Sequence, residues 1–436
     1  MVSIEKLLSG YSYAEIRINR GINTNIKIAD DEVKVSSGSY EGMSARVLEN
    51  GSWGFASSNN MNDAGELLKK ARKIALLEKG RISINKMPGR SINIKNRMTV
   101  ANPENEVSEL MDAMKSISGK NIIARLISCN DVVIKKRFIN SEGTDITQDV
   151  PYTYLSCSAV AKANGVIQKG YETDASRKGF KKINLYDTAK TAGEKAEMML
   201  NAKLPPKGRF TVILDPEMTG VFVHEAIGHA VEADSVVERE SILAKKRGKR
   251  IGSEIVTIYD DPTSDYFGSY GFDDEGMKAK KVMIIEDGVL KNYINSRETA
   301  KKLDDEPNGH ARASSFDAVP VVRMSNTFMK PGKQSMNDVF DVKEAIYMKG
   351  MTGGSVDTFS GGFMFKAEEA YMIKNGEKQT LLRDATLSGN ILKTMKNVCA
   401  VGKDFGTSPG ICGKMGQRVP VSDGGPHIRV NNMMVG

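Results

Sequence analysis

Val221-Phe222-Val223-His224-Glu225-Ala226-Ile227-Gly228-His229-Ala230-Val231-Glu232 is the stretch on which the reading of this chain turns. It carries two of the four histidines in the sequence, His224 and His229, and Glu225 directly follows the first. Neutral imidazole is the commonest ligand for a catalytic metal, and a carboxylate beside it can act as general base. The apolar neighbours and the absence of Pro predict a buried helix. The spacing is HExxxH, one residue longer than the familiar HExxH. Five residues at about 100° each leave the second ring about 140° from the first on a regular helix. The imidazoles can converge only through a local adjustment, a π-bulge or an unwound end, and such features are frequent at functional sites. Gly228 is the residue where that distortion is cheap.

Working outward, a chain of 436 residues is long enough for two or three domains with sizeable cores. Its 40% hydrophobic and 27% charged residues are ordinary for a soluble globular protein. The first ten residues show no basic region followed by an apolar run, so no signal peptide is expected. No apolar stretch is long enough to span a bilayer. The four cysteines, Cys129, Cys157, Cys399 and Cys412, are too few for a disulfide framework. A cytoplasmic protein is expected. The net charge of +8 is spread along the chain except for a basic run at 245–250. No nucleic-acid motif accompanies that run, so a solvated loop is expected there and nucleic acid is not an expected partner.

Residues 13–20, 25–29, 32–36 and 43–48 alternate as half-buried strands, 51–55 reads as a turn with aromatics, and 62–77 as an amphipathic helix with Asp63 as its cap. A second pass follows: a helix at 105–117, strands at 122–128, 131–135, 136–140 and 152–161, a turn near Gly165, and a helix at 185–200. The order strands, turn, helix thus occurs twice, which predicts an N-terminal α+β domain over 1–203, either internally duplicated or made of two neighbouring sheets. The Pro205-Pro206 segment reads as a linker. From 208 to 436 a buried strand at 210–214 precedes the motif helix, which Asp215 or Thr219 could cap. Strands at 255–259, 282–285, 289–293 and 370–373, punctuated by Gly and Asp, predict a β-rich, barrel-like C-terminal catalytic domain with the HExxxH helix docked against it.

A catalytic metal needs a third protein ligand and an open position. Glu232, three residues after His229, is one candidate. Cys412 in the glycine-flanked stretch 410–416 is a second. His427 in 424–427 is a third. Residue chemistry alone does not separate them.

The sequence resembles the TldD/PmbA family, and within it the TldD branch. The resemblance runs over most of the chain and is tightest from about 205 onward. It rests on 224–229 with Glu232 and Asp234, then 273–276, 323–332, 353–358, 385–389, and 412–417 with Pro420-Val421, six blocks in one order. It implies a zinc metallopeptidase whose metal is bound by His224, His229 and Cys412, with Glu225 as the motif glutamate. The PmbA branch, also called TldE, lacks the ligands and pairs with TldD in a heterodimer; this chain retains them, so it resembles the active partner. A paralogous PmbA/TldE-like subunit, or a second copy of the chain, is the implied partner, and short or unfolded peptides are the implied substrates. The basic loop 244–250 departs from the family pattern.

The expected mechanism is attack of a metal-activated water on a peptide carbonyl, with Glu225 as general base. A Cys ligand favours Zn²⁺ over Mg²⁺ or Ca²⁺. Glu232 is then either a group orienting a histidine or a helix residue in an ion pair. The acidic stretch 273–276 is expected to be a charged turn. Two other readings stand beside this one: a non-catalytic, metal-stabilised peptide-binding or partner subunit, and a nucleic-acid-associated modulator.

Overall fold

The computed structural model describes residues 3–96 and 103–436. Its N-terminal part is built on one sheet: β1 (Tyr13–Ala29), β2 (Glu32–Glu49), β3 (Ser52–Ser58), β4 (Arg90–Ile94), β5 (Ile122–Asn140), β6 (Thr144–Ala163) and β7 (Val166–Ser176). The strand order is β3-β2-β1-β5-β6, with β4 and β7 both on the outer edge of β6. β1 and β5 meet antiparallel at the centre, from Glu15 opposite Asn140 to Ala29 opposite Leu126. The expected strand–helix order therefore does recur, but within a single sheet rather than in two. Several short expected strands are pieces of long ones, and the stretch expected as an aromatic turn at 51–55 is mostly β3.

Period-2 alternation gives this sheet two different faces. Ile16, Ile18, Ile26 and Ile28 point to one, where the helices Ala64–Ala75, Pro103–Met114 and Leu185–Met199 cover them. Asp63 precedes the first of these helices without capping it; its carboxylate accepts from Ser58 Oγ and Asn60 Nδ2 instead. Glu15, Arg17, Asn19, Arg46 and Lys136 point to the other face. This face was expected to meet water, and its near half is instead buried against the C-terminal part of the chain. Arg46 bridges Glu15 and Glu275 at 2.8 Å each. Lys136 pairs with Asp274 at 2.9 Å, and Arg17 donates to the carbonyls of Ser315, Phe316 and Ala318. Alternating charge reads the same in a sequence whether water or a counter-charge satisfies it. The stretch 273–276 is a turn, as expected, but a buried one held by these cations.

From Gly208 the chain forms a closed five-stranded barrel. Glu344–Asp357, Gly208–Leu214, Ile428–Val435, Thr386–Asn390 and Gly362–Lys374 follow one another, and the last pairs back onto the first. A second sheet runs Val289–Leu290, Val282–Glu286, Ile258–Asp260, Asn326–Met329, Gln417–Gly425, Gly406–Lys414. The segment 216–231 lies between barrel and sheet, with Phe222, Val223, Ala226, Ile227, Ala230 and Val231 fully buried in the largest apolar cluster. Among the described residues no helix is long and apolar enough to cross a membrane. The basic run forms exposed turns, where Arg247 pairs with Asp305 and Arg250 donates to the Asp287 carbonyl at 2.9 Å.

Candidate metal centre

The helix Pro216–Phe222 is capped by Asp215, whose carboxylate accepts from Met218 N at 2.8 Å and from Gly350 N at 3.2 Å. It then changes pitch. Val223–Gly228 is a π-helix, and His229–Val231 is a single 3₁₀ turn. The His229 N–H donates to the His224 carbonyl, a five-residue step. This is the adjustment that the HExxxH spacing requires, and it brings the two rings to 5.2 Å between centroids at 89°. Gly228 serves another purpose than the one expected: its backbone is ordinary right-handed helix, with φ −55° and ψ −55°. What the position requires is space, since a Cβ there would lie 1.8 Å from Met324 Sδ.

Cys412 arrives from the edge strand Gly406–Lys414. His224, His229 and Cys412 each offer a donor atom within 4.8 Å of the other two. Cys412 Sγ is 3.6 Å from His229 Nε2, close to the roughly 3.5 Å edge of a tetrahedron built from Zn–S and Zn–N bonds of about 2.3 and 2.05 Å. Among the described residues the Nδ1 of buried His224 has no hydrogen-bond partner. Burial pushes the Cys412 thiol up, but His224 and His229 outweigh it and bring the pKa down to about 4. Burial opposes charge on His229, yet Glu232 and Cys412 raise its pKa well above the ordinary imidazole value. Two imidazoles facing a thiolate in a buried pocket are the donor chemistry of a zinc site.

Of the other ligand candidates, His427 is elsewhere: its Nδ1 is 2.7 Å from Asp404 and its Nε2 2.9 Å from the Tyr347 hydroxyl. Glu232 approaches His229 from behind. One of its oxygens is 3.1 Å from His229 Nδ1 and 3.0 Å from Lys414 Nζ. Both readings of Glu232, orienting group and ion-pair member, thus hold at once. Burial raises its pKa, but His229 and Lys414 prevail and lower it. Glu225 is 30% exposed, with Oε2 3.9 Å from His229 Nε2.

Three residues at the site were given no role from the sequence, although Arg323 and Lys414 lie in the stretches that carry the resemblance. Lys414 joins Glu232 to Asp234, which it contacts at 2.7 Å. Its position two residues after Cys412, hence on the same strand face, was the available signal. Arg323, fully buried, donates to the carbonyl of Cys412 at 2.7 Å and so fixes the hairpin. Asp423 is buried near His224, Glu225 and Cys412; burial first, then the negative charge of Glu225 and Cys412, pushes its pKa up to about 7 despite His224.

Family models cover most of the chain: PmbA/TldA metallopeptidase domain 1 at residues 14–75, the central domain at 100–200, and the C-terminal domain at 207–436. A protein of Methanothermobacter thermautotrophicus named metalloprotease is 42% identical, over 97% of this chain and 95% of its own. The zinc metalloprotease TldD homolog of Saccharolobus solfataricus is 34% identical, over 98% of this chain and 97% of its own. The crystal structure of TldE from Thermococcus kodakarensis superposes with a TM-score of 0.81 at 21% identity, covering 99% of this chain and 98% of that one, which shows a shared fold. The relatives' names support a metallopeptidase in general, and with these matches the chain belongs to the TldD/PmbA family of metallopeptidases.

Proposed function

We propose that the protein is a zinc-dependent peptidase acting on peptides or unfolded polypeptides. In this reading His224, His229 and Cys412 hold the metal and Glu225 is the general base. The observation that carries it is the convergence of two imidazoles and a thiol, each with a donor within 4.8 Å of the others. Zinc bound there would supply a Lewis acid and a water acidified towards neutrality. The chain's own residues do the rest. Glu225, partly exposed beside the two histidines, takes the proton of the attacking water and later passes it to the leaving amine. Glu232 holds His229 by Nδ1 and so leaves Nε2 facing the metal pocket. Lys414 balances the charge of Glu232 and Asp234. The surrounding apolar cluster keeps bulk water from the back of the site.

Residues 208–436 would form the metallopeptidase domain, and residues 1–203 the α+β domain packed against it. The TldE likeness supports a TldE-like paralogue as partner, with a second copy of this chain as the other arrangement. Metal analysis of wild type and Cys412→Ala, combined with peptide cleavage by wild type and Glu225→Ala, tests the proposal. The expected result is about one zinc per chain, lost with Cys412, and cleavage abolished in Glu225→Ala with the metal retained. A Glu225→Ala protein that still cleaves removes the base assignment. A metal-loaded wild type that cleaves nothing, with and without a paralogous partner, favours a metal-stabilised binding subunit instead.

A further inference from the structure

A cleft runs between β6–β7 and the hairpin that carries Cys412. Its inner end, about 60 Å³, is lined by Arg177, Arg312, Arg418, Tyr152, Phe267 and Tyr270 among others. Arg177 and Phe267 also line an outer portion of about 230 Å³, which reaches Thr407 and Pro409 on the Cys412 strand and Ser422 on its neighbour. In that hairpin Val419, another lining residue, is directly opposite Cys412. The cleft therefore follows the strand pair that delivers the cysteine.

Its charge is unbalanced in a specific way. The acids in its wall are engaged: Asp274 pairs with Lys136, Asp273 accepts from the backbone N–H groups of Glu275, Met277 and Ala311, and Asp174 accepts from those of Ala175 and Asn184. Asp265, at the outer end, pairs with Lys178. Among the described residues Arg312, buried, donates only to the carbonyls of Met324 and Pro420, at 2.6 and 2.8 Å. Arg177 is half-buried and Arg418 exposed, and among the described residues neither guanidinium makes a hydrogen bond or ion pair. Burial and the neighbouring Arg312 pull the Arg177 pKa down to about 10, against the pull of Asp265. Guanidinium groups withdrawn from water are normally paired, and an Arg fork fits a carboxylate. The inner volume accommodates a few water-sized groups, enough for a carboxylate.

Resting on the peptidase reading, we propose that Arg177, with Arg312 and Arg418 behind it, binds a carboxylate of the peptide substrate, its C-terminus or an acidic side chain. The class of substrate favoured is thus an acidic or free-ended peptide rather than a neutral, blocked one. The test uses fluorescent octapeptides in two pairs, free acid against C-terminal amide, and internal Glu against Gln. Binding is read by anisotropy on zinc-loaded Glu225→Ala protein and again after chelation, so that direct carboxylate–zinc contact is separated from the cleft.

The expected result is about tenfold or greater preference for the charged member of at least one pair, with or without zinc. Arg177→Gln should erase the preference, and Arg177→Lys should keep part of it. Equal binding of both members, no binding of either, a preference that vanishes on chelation, or one that survives Arg177→Gln in a protein with normal melting overturns the proposal. Cleavage by the zinc-loaded wild type is read separately. Its absence would count against the peptidase reading and leave the binding comparison intact.

Discussion

Replacing Glu232 by Gln isolates the charge behind His229. The carboxylate is 2% exposed, and one oxygen receives both donors, His229 Nδ1 at 3.1 Å and Lys414 Nζ at 3.0 Å. Its other oxygen has no hydrogen-bond partner among the described residues. A Gln of the same shape can keep its carbonyl oxygen on the two donors and put its amide in the unpartnered place, so the hydrogen bonds persist while the negative charge goes. Groups that hold a metal-bound histidine typically change metal affinity by about 10- to 100-fold when mutated. Because shape survives and Lys414 keeps Asp234, the loss for Glu232→Gln should be at the lower end, about tenfold or ~1.4 kcal/mol. Glu232→Ala also removes the acceptor and should approach 100-fold. The assay is competition for zinc against a chromophoric chelator at pH 7, with melting curves of the metal-free proteins to exclude unfolding. Two folded variants that bind zinc as tightly as the wild type would refute the reasoning, and His229 would then not be a ligand held by Glu232.

Other consequences are open to direct measurement. Gly228→Ala places a methyl 1.8 Å from Met324 Sδ in the core, and the loss of stability should be about 1–3 kcal/mol in denaturant melts; in a Met324→Ala background, itself destabilised by its cavity, the further loss from Gly228→Ala should be smaller. In metal-free protein Cys412, with a pKa of about 4, remains a thiolate until the pH falls through that value. Iodoacetamide at pH 6 should therefore label Cys412 in preference to Cys157, whose thiol burial pushes up to about 12, and zinc should block the reaction; peptide mass spectrometry reads both. Arg46→Met leaves the buried carboxylates of Glu15 and Glu275 without their shared cation, a loss of about 3–5 kcal/mol in equilibrium unfolding.

The part of this structure legible in sequence is the part governed by spacing. A five-residue step between two histidines has few backbone solutions, and the π-turn is one of them. Cys412 could not be chosen over Glu232 and His427 by residue chemistry. Their separation depends on contacts distant in sequence, such as Asp404 with His427, and only the family resemblance singled out the cysteine. The long strands were divided at 21–24, 37–42 and 129–130, because Gly21, Gly38, Gly42 and Asn130 read as punctuation between half-buried strands. In β1 both faces are covered over Tyr13–Asn19, the second by partners almost 300 residues away, such as the carbonyls of Ser315 and Phe316 that Arg17 meets; on neighbouring β2, Arg46 meets the carboxylate of Glu275. No local pattern distinguishes a carboxylate that meets water from one that meets such a partner.

The site's economy follows from its two short carriers. After the π-helix and the 3₁₀ turn, Glu232 is extended, with ψ 116°. The irregular turn thus supplies two imidazoles and the carboxylate that orients the second. On the facing hairpin, strand alternation puts Cys412 and Lys414 on one side, so the same two-residue step supplies a thiolate and a cation. The thiolate faces Nε2 of His229 and the cation faces the carboxylate at its Nδ1. Each negative group is thereby matched from the opposite segment, and neither segment is electrically satisfied alone. Arg323, donating to the Cys412 carbonyl, therefore bears on the proposed metal pocket together with the histidine motif, because it holds the hairpin that carries the thiolate and the cation.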